Sequence, residues 1–244
     1  MEQMTTKRPA GLSSFELKLL AMGCMLIDHV GYLFFPMELW LRGIGRLAFP
    51  IFAFQAAEGW ARSRDRRRYL LRMALFALLS ELPFDLLFSG QLWNAGEQNV
   101  LWTFTIALGC LWAAEWLQRR GLPEVLALAC VAAPGYLLGQ WLAVDYYGPG
   151  VLMVLVFALC RGKKWRWPME LAAMLLINGR LLPSVYVELW GHWLPIQLLA
   201  TAALLPIWLY RGRQGPHHRA VQLLCYGFYP VHLLLLWLIY GLIW

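Results

Sequence analysis

Residues 15–35 read FELKLLAMGCMLIDHVGYLFF, apolar almost throughout yet carrying Lys18, Asp28 and His29. A run of that length is what a helix needs to cross a bilayer. Further apolar runs follow at about 43–61, 69–89, 100–117, 122–142, 146–160, 168–187, 193–210 and 221–243, the sixth being short and broken by Gly148-Pro149-Gly150. The chain is 60% apolar and 14% charged, with a mean hydropathy of +0.54. Soluble domains are nearer about 45–50% and about 25%, so a soluble globular protein is excluded. Unbroken runs rather than strict alternation exclude an outer-membrane barrel. In a bilayer core the backbone must then satisfy itself within helices. The expected fold is an all-α, polytopic integral membrane helical bundle of about nine transmembrane helices. A cytoplasmic N-terminal tail (1–14) precedes one transmembrane domain (15–244).

The net charge is +7. Its placement points to membrane topology, not to nucleic acid. Basic residues cluster after alternate runs: Arg62, Arg64, Arg66, Arg67 and Arg68, then Arg119 and Arg120, then Arg161, Lys163, Lys164 and Arg166, then Arg211, Arg213 and Arg219. With Lys7 and Arg8, this puts most of the 21 basic residues on one side. The opposite loops hold Arg42 alone, with Glu38, Glu97, Asp145 and Glu188. The positive-inside rule predicts a cytoplasmic N-terminus, and nine spans then put the C-terminus outside. No small-residue cleavage site follows the first run, which reads as an uncleaved span. The five cysteines show no paired spacing, so neither a metal cluster nor a disulfide framework is expected. No internal repeat of the transporter kind is visible.

Ionisable side chains in hydrocarbon mark function or an internal pair. Lys18 and His29 are eleven residues apart; at ~100° and ~1.5 Å per residue they share one helix face, about 16 Å apart. A cation at the cytoplasmic mouth can hold a donor's phosphates while a histidine deeper in acts at the donor's reactive end. Coenzyme A has that shape. Histidine is the usual general base near neutral pH. Asp28 lies about 100° round the helix from His29, so it is a less direct orienter. The alternative is that Lys18 snorkels to the headgroups while Asp28-His29 pairs with another helix.

Arg46, near the expected depth of His29, can pair with Asp28 or stabilise a developing oxyanion. Pro50 is expected to break the helix there. Glu58 lies near the inner end, level with Lys18 and Arg72, and reads as an ion pair among the donor-side cations, which include Arg62. Asp85, Asn99 and Asp145 place polar groups at the outer face as loop caps or acceptor contacts. In the last run, Phe228-Tyr229-Pro230-Val231-His232, His232 sits about 12 residues or roughly 18 Å past Ala220, the depth expected for His29. His192 and His217-His218 read as surface groups.

KLLAMGCMLIDH (residues 18–29), followed in order by GRLAFPIFAF, PFD, NVLWT, DYYGPG and FYPVHL, resembles the TraX family, membrane proteins named for an enzyme that N-acetylates conjugative pilin. The resemblance runs from about Lys18 to the C-terminal end. The Lys-x10-His spacing also resembles the Arg/Lys-x10-His signature of acyltransferase-3 membrane enzymes. The resemblance implies acetyl transfer from acetyl-coenzyme A, with His29 catalytic and Lys18 binding the donor. The Asp145-Tyr-Tyr-Gly-Pro-Gly motif departs from an expected Asp-Tyr-Gly-x-x-Gly.

The expected function is therefore a transmembrane acetyltransferase, with no metal. The catalytic set is His29, Asp28, Arg46 and His232; the donor side is Lys18, Arg62, Arg72 and Glu58. Asp85, Asn99, Asp145 and Tyr229 face an acceptor peptide, glycan or small amine. The alternative is a proton- or ion-coupled transporter using Asp28, His29 and Arg46 as a relay. A scaffold without chemistry leaves the matched depths of His29 and His232 unexplained.

Overall fold

The computed structural model describes residues 11–189, 191–216 and 218–243. Lys7, Arg8 and His217, and most of the expected tail, lie outside the described residues. Helix α1 (Ser14–Phe34) begins at a capping box. The Ser13 hydroxyl accepts from the Glu16 N–H, and the Glu16 carboxylate accepts from the Ser13 N–H at 2.6 Å. Next come α2 (Leu39–Gly45) and α3 (Ala48–Arg62). The expected break at Pro50 is corrected: the chain breaks earlier, at Arg46-Leu47. Pro50 is in the first turn of α3, where a missing N–H forfeits no helical bond.

Asp65 caps α4 (Arg66–Ser89), and Asn99 caps α5 (Val100–Arg119). Then follow α6 (Glu124–Trp141), α7 (Tyr147–Cys160) and α8 (Arg166–Leu176), which continues as a π-helical turn, Ile177–Leu181. A hairpin pairs β1 (Tyr186–Leu189) with β2 (His192–Pro195), Tyr186 opposite Pro195. A 3₁₀ helix (Ile196–Ala203), α9 (Leu204–Trp208) and α10 (Arg219–Ile243) complete the described chain.

The fold is nearly all-α, and the expected nine spans are corrected. Among the described residues four helices are long and apolar enough to cross a membrane: α1, α5, α6 and residues Ala220–Ile243 of α10. Helices α3 and α7 have 15 and 14 residues. Helix α4 is longer but opens on Arg66, Arg67, Arg68 and Arg72 and carries Glu81 and Asp85. The runs at 168–187 and 193–210 do not form continuous helices. Pro183 and Pro195 lack a donor and push the residue before them out of the helical region, so the chain turns into the hairpin between them.

Helix α6 packs against α5 and α7, α1 against α2 and α3, and α10 against α4 and α1. Leu17, Ile51, Leu108, Val154 and Leu233 are fully buried between them. On α4, Leu71, Leu75, Leu78 and Leu82 are exposed at helical spacing. In water such a stripe is a liability; in a membrane protein it faces lipid.

Candidate functional site

On α1, Lys18, Met22, Met25, His29 and Tyr32 follow the three- and four-residue spacing of one helix face, and all five line cavities. Lys18 and Met22 line a basic cavity of about 450 Å³ with Glu58, Arg62, Tyr69 and Arg72. His29 and Tyr32 line a second cavity of about 250 Å³ with Asp28, Arg42, Arg46 and Asp145. The two have Met25, Phe52, Val100 and Tyr229 as common wall. The shared helix face of Lys18 and His29 therefore lines two adjoining cavities, Lys18 in the first and His29 in the second.

Behind His29 stands His232 of α10, buried to 5% exposure. His29 Nδ1 and His232 Nε2 are 2.9 Å apart, and the rings are parallel within 3°. His232 Nδ1 lies 2.8 Å from the Phe228 carbonyl oxygen. A carbonyl only accepts, so His232 Nδ1 must donate. In the neutral ring its Nε2 is then an acceptor, and His29 Nδ1 must donate to it. That assignment, made from the bonding pattern, leaves the lone pair of His29 on Nε2. Phe228 stacks on His232 at 4.5 Å and Phe88 meets His29 edge-on at 5.4 Å, so both rings are held.

The Asp28 carboxylate is turned to α2 and not to the His29 ring. Both its oxygens accept from Arg46 Nη2 at 2.8 Å, and Arg42 Nη1 is 2.9 Å from Asp28 Oδ2. Of the two roles expected for Arg46, its guanidinium is committed to the ion pair. Arg46 Nη1 also donates to Gln197 Oε1 at 3.3 Å, and Gln197 Nε2 donates to Asn178 Oδ1 at 3.0 Å. Asn178 sits in the π-helical turn and donates to the Met174 carbonyl at 2.9 Å. Such turns occur often at functional sites. Gly45 lets α2 approach this closely: a Cβ there would lie 2.2 Å from the Asp28 side chain.

Asp145 lines the His29 cavity from the turn before α7. Burial pushes its carboxyl up to about 6 from 3.8, against the pull of Arg46. Three non-glycine residues around it have positive φ: Ala143 at 48°, Tyr146 at 62° and Tyr147 at 47°. Each costs about 1–3 kcal/mol unless the surroundings hold it. Here the Asp145 N–H donates to Gln98 O at 2.8 Å, the Thr103 hydroxyl donates to the Asp145 carbonyl, and Tyr146 stacks on Phe49 at 3.7 Å.

Asp85 and Asn99 sit apart from both cavities and serve as caps. Asp85 accepts from the Asn94 N–H at 2.9 Å, and Asn99 accepts from the Leu101 N–H while donating to Glu81 and to the Ala77 carbonyl. At the basic end, Glu58 is clamped between Arg62 at 2.8 Å and Arg161 at 2.7 Å. Arg62 also donates to the Gly212 carbonyl at 2.7 Å. Lys18 and Arg72 line the same cavity, and neither has a carboxylate partner among the described residues.

A family model for the TraX protein matches residues 13–240. The chain belongs to the TraX family. It is 30% identical to the "Probable fimbrial assembly protein FimC, serogroup H1" of Dichelobacter nodosus, over 94% of this chain and 96% of that protein. No solved structure matches it.

In this TraX-family chain the sequence reading missed Arg42 as a partner of Asp28, and missed Gln197 and Asn178 altogether. The available signal was a lone amide in each of two apolar runs, which in hydrocarbon needs a partner. It missed Met25 and Phe52 because an apolar residue in an apolar run carries no mark. Tyr229, expected at an acceptor, lines both the His29 cavity and the basic one.

Proposed function

We propose that this TraX-family protein is a transmembrane acetyltransferase in the bacterial inner membrane. It takes acetyl-coenzyme A from the cytoplasm at the Lys18 end and delivers the acetyl group to an amine or hydroxyl acceptor at the His29 end. The observation that carries the reading is the pair of cavities that share four wall residues, with Lys18 and Arg72 on one side and an oriented histidine on the other. The 450 Å³ basic cavity falls within the ~300–1,000 Å³ of ligand sites. It fits the arm of coenzyme A, with Lys18, Arg72 and Arg62 at the mouth for its phosphates. The cytoplasmic assignment of that end rests on Arg62, Arg161 and Arg213, which lie beside it.

In this reading His29 Nε2 takes the proton from the acceptor. The acceptor lone pair bonds to the acetyl carbonyl carbon as the C–S bond breaks. The thiolate leaves toward the basic cavity and receives the proton, giving acetylated acceptor and free coenzyme A. His232 fixes the tautomer, as the orienting partner does in other histidine bases. Both oxygens of Asp28 are taken up by the guanidinium groups of Arg46 and Arg42; this weighs against the relay of the transporter reading. The name of the Dichelobacter relative, a fimbrial assembly protein, agrees with a peptide acceptor.

The test is thermal protection of the purified protein by coenzyme A. Ligand at 100-fold its dissociation constant adds about 2.7 kcal/mol to the folded state, a clear rise in Tm. Lys18→Ala with Arg72→Ala should abolish it. No protection of the wild type at millimolar coenzyme A contradicts the reading.

A further inference from the structure

Four helices each supply one side chain to the wall between the cavities: Met25 from α1, Phe52 from α3, Val100 from the first turn of α5 and Tyr229 from α10. Lys18 lines only the basic cavity, and His29 only the other. Any group carried from one to the other must pass these four residues. Three of them are stiff. Val100 is β-branched and buried, Phe52 is an aromatic ring, and Tyr229 is 6% exposed with its hydroxyl against the Val100 backbone. Met25 is unbranched and partly buried, the one side chain of the four that re-forms easily around a passing group. Beyond the wall the space is short. The His29 cavity, about 250 Å³, is below the usual range for a ligand site, and it must also admit the acceptor's reactive end.

On the acyltransferase reading, we propose that Met25, Phe52, Val100 and Tyr229 form an aperture that selects the acyl donor by chain length. It passes an acetyl group to His29 and stops longer acyl chains in the basic cavity, with Met25 as its adjustable side. The bonds made and broken are those of acetyl transfer for any acyl length; the aperture decides only which thioester carbon reaches His29.

The experiment measures coenzyme A release by the full chain in detergent from acetyl-, butyryl- and hexanoyl-coenzyme A, with glycinamide as acceptor. The quantity read is the ratio of acetyl to hexanoyl rates within one preparation, which does not depend on the folded fraction. The wild type should favour acetyl by at least the about 10–200-fold that a pocket gains over one methylene. Met25→Ala should lower that ratio tenfold or more, on the same scale, and Phe52→Leu should lower it in the same direction. A wild type that uses hexanoyl as readily as acetyl overturns the aperture, as does a ratio unmoved in both variants. Release from no donor at all overturns the acyltransferase reading itself, and the aperture with it.

Discussion

The Nδ1 atom of His29 and the Nε2 atom of His232 face each other at 2.9 Å across the α1–α10 contact, and the second ring nitrogen of His232 is tied to the Phe228 carbonyl. Two histidines 203 positions apart thus form one unit with a single proton arrangement. The arrangement leaves one ring nitrogen of His29 open and ties both ring nitrogens of His232.

The first prediction concerns that orientation. His232→Phe keeps an aromatic ring but removes the acceptor for His29 Nδ1–H. It should lower kcat for acetyl transfer by about 10²–10⁴-fold, the range that a positioned base contributes, with KM for acetyl-coenzyme A unchanged. His232→Gln, which can accept the same bond, should recover part of the loss. Steady-state kinetics on the two variants decide it; equal activity in both contradicts the role.

Gly45→Ala places a Cβ where the Asp28 side chain is, 2.2 Å away. Asp28 must swing off Arg42 and Arg46, and the tight α1–α2 approach must open. Overpacking of this kind costs about 1–3 kcal/mol. The expected outcome is a lower Tm in detergent together with reduced activity. A Tm equal to that of the wild type contradicts the packing described.

Gln197→Leu removes the link between Arg46 and Asn178 and leaves two buried polar groups without a partner. Such a loss costs about 1–3 kcal/mol. Restoring the balance with Asn178→Leu as well should return part of it, because then the amide opposite is also gone. A double-mutant cycle on chemical or thermal denaturation measures the coupling. Strict additivity contradicts the chain of amides.

Asp145 gives a pH dependence with a definite sign. Burial raises its carboxyl from 3.8 to about 6, so the folded chain binds that proton more tightly than the unfolded one. Its contribution to stability is complete below about 4 and is lost as pH rises through about 6. Asp145→Asn removes the dependence. The variant's Tm relative to the wild type should climb between pH 4 and about 6 and stay level above; a difference that is flat across that range contradicts the burial.

How far the sequence could be read follows the kind of information each feature needs. The shared face of Lys18 and His29 needs only helical phase, and the shared depth of His29 and His232 needs only a count from the basic loops. Each needs only positions counted along a single helix. The network around the Asp28–Arg46 pair was less legible, because Arg42, Gln197 and Asn178 come from three separate elements and meet only through packing. The span count failed where composition was apolar but the backbone was not helical: Pro183 and Pro195 bracket a hairpin that takes the end of one expected run and the start of the next. Asp85 and Asn99 illustrate the reverse case. Polar residues at run ends mark caps as readily as sites, and only the position of the cavities separates the two.

The central claim is that His29 is the base for acyl transfer across the wall, and the most direct measurement is coenzyme A release from acetyl-coenzyme A by the purified protein beside His29→Ala. The account predicts release by the wild type that increases with glycinamide, and its loss in a His29→Ala variant that keeps its thermal protection by coenzyme A. Equal release by a folded His29→Ala protein would contradict it.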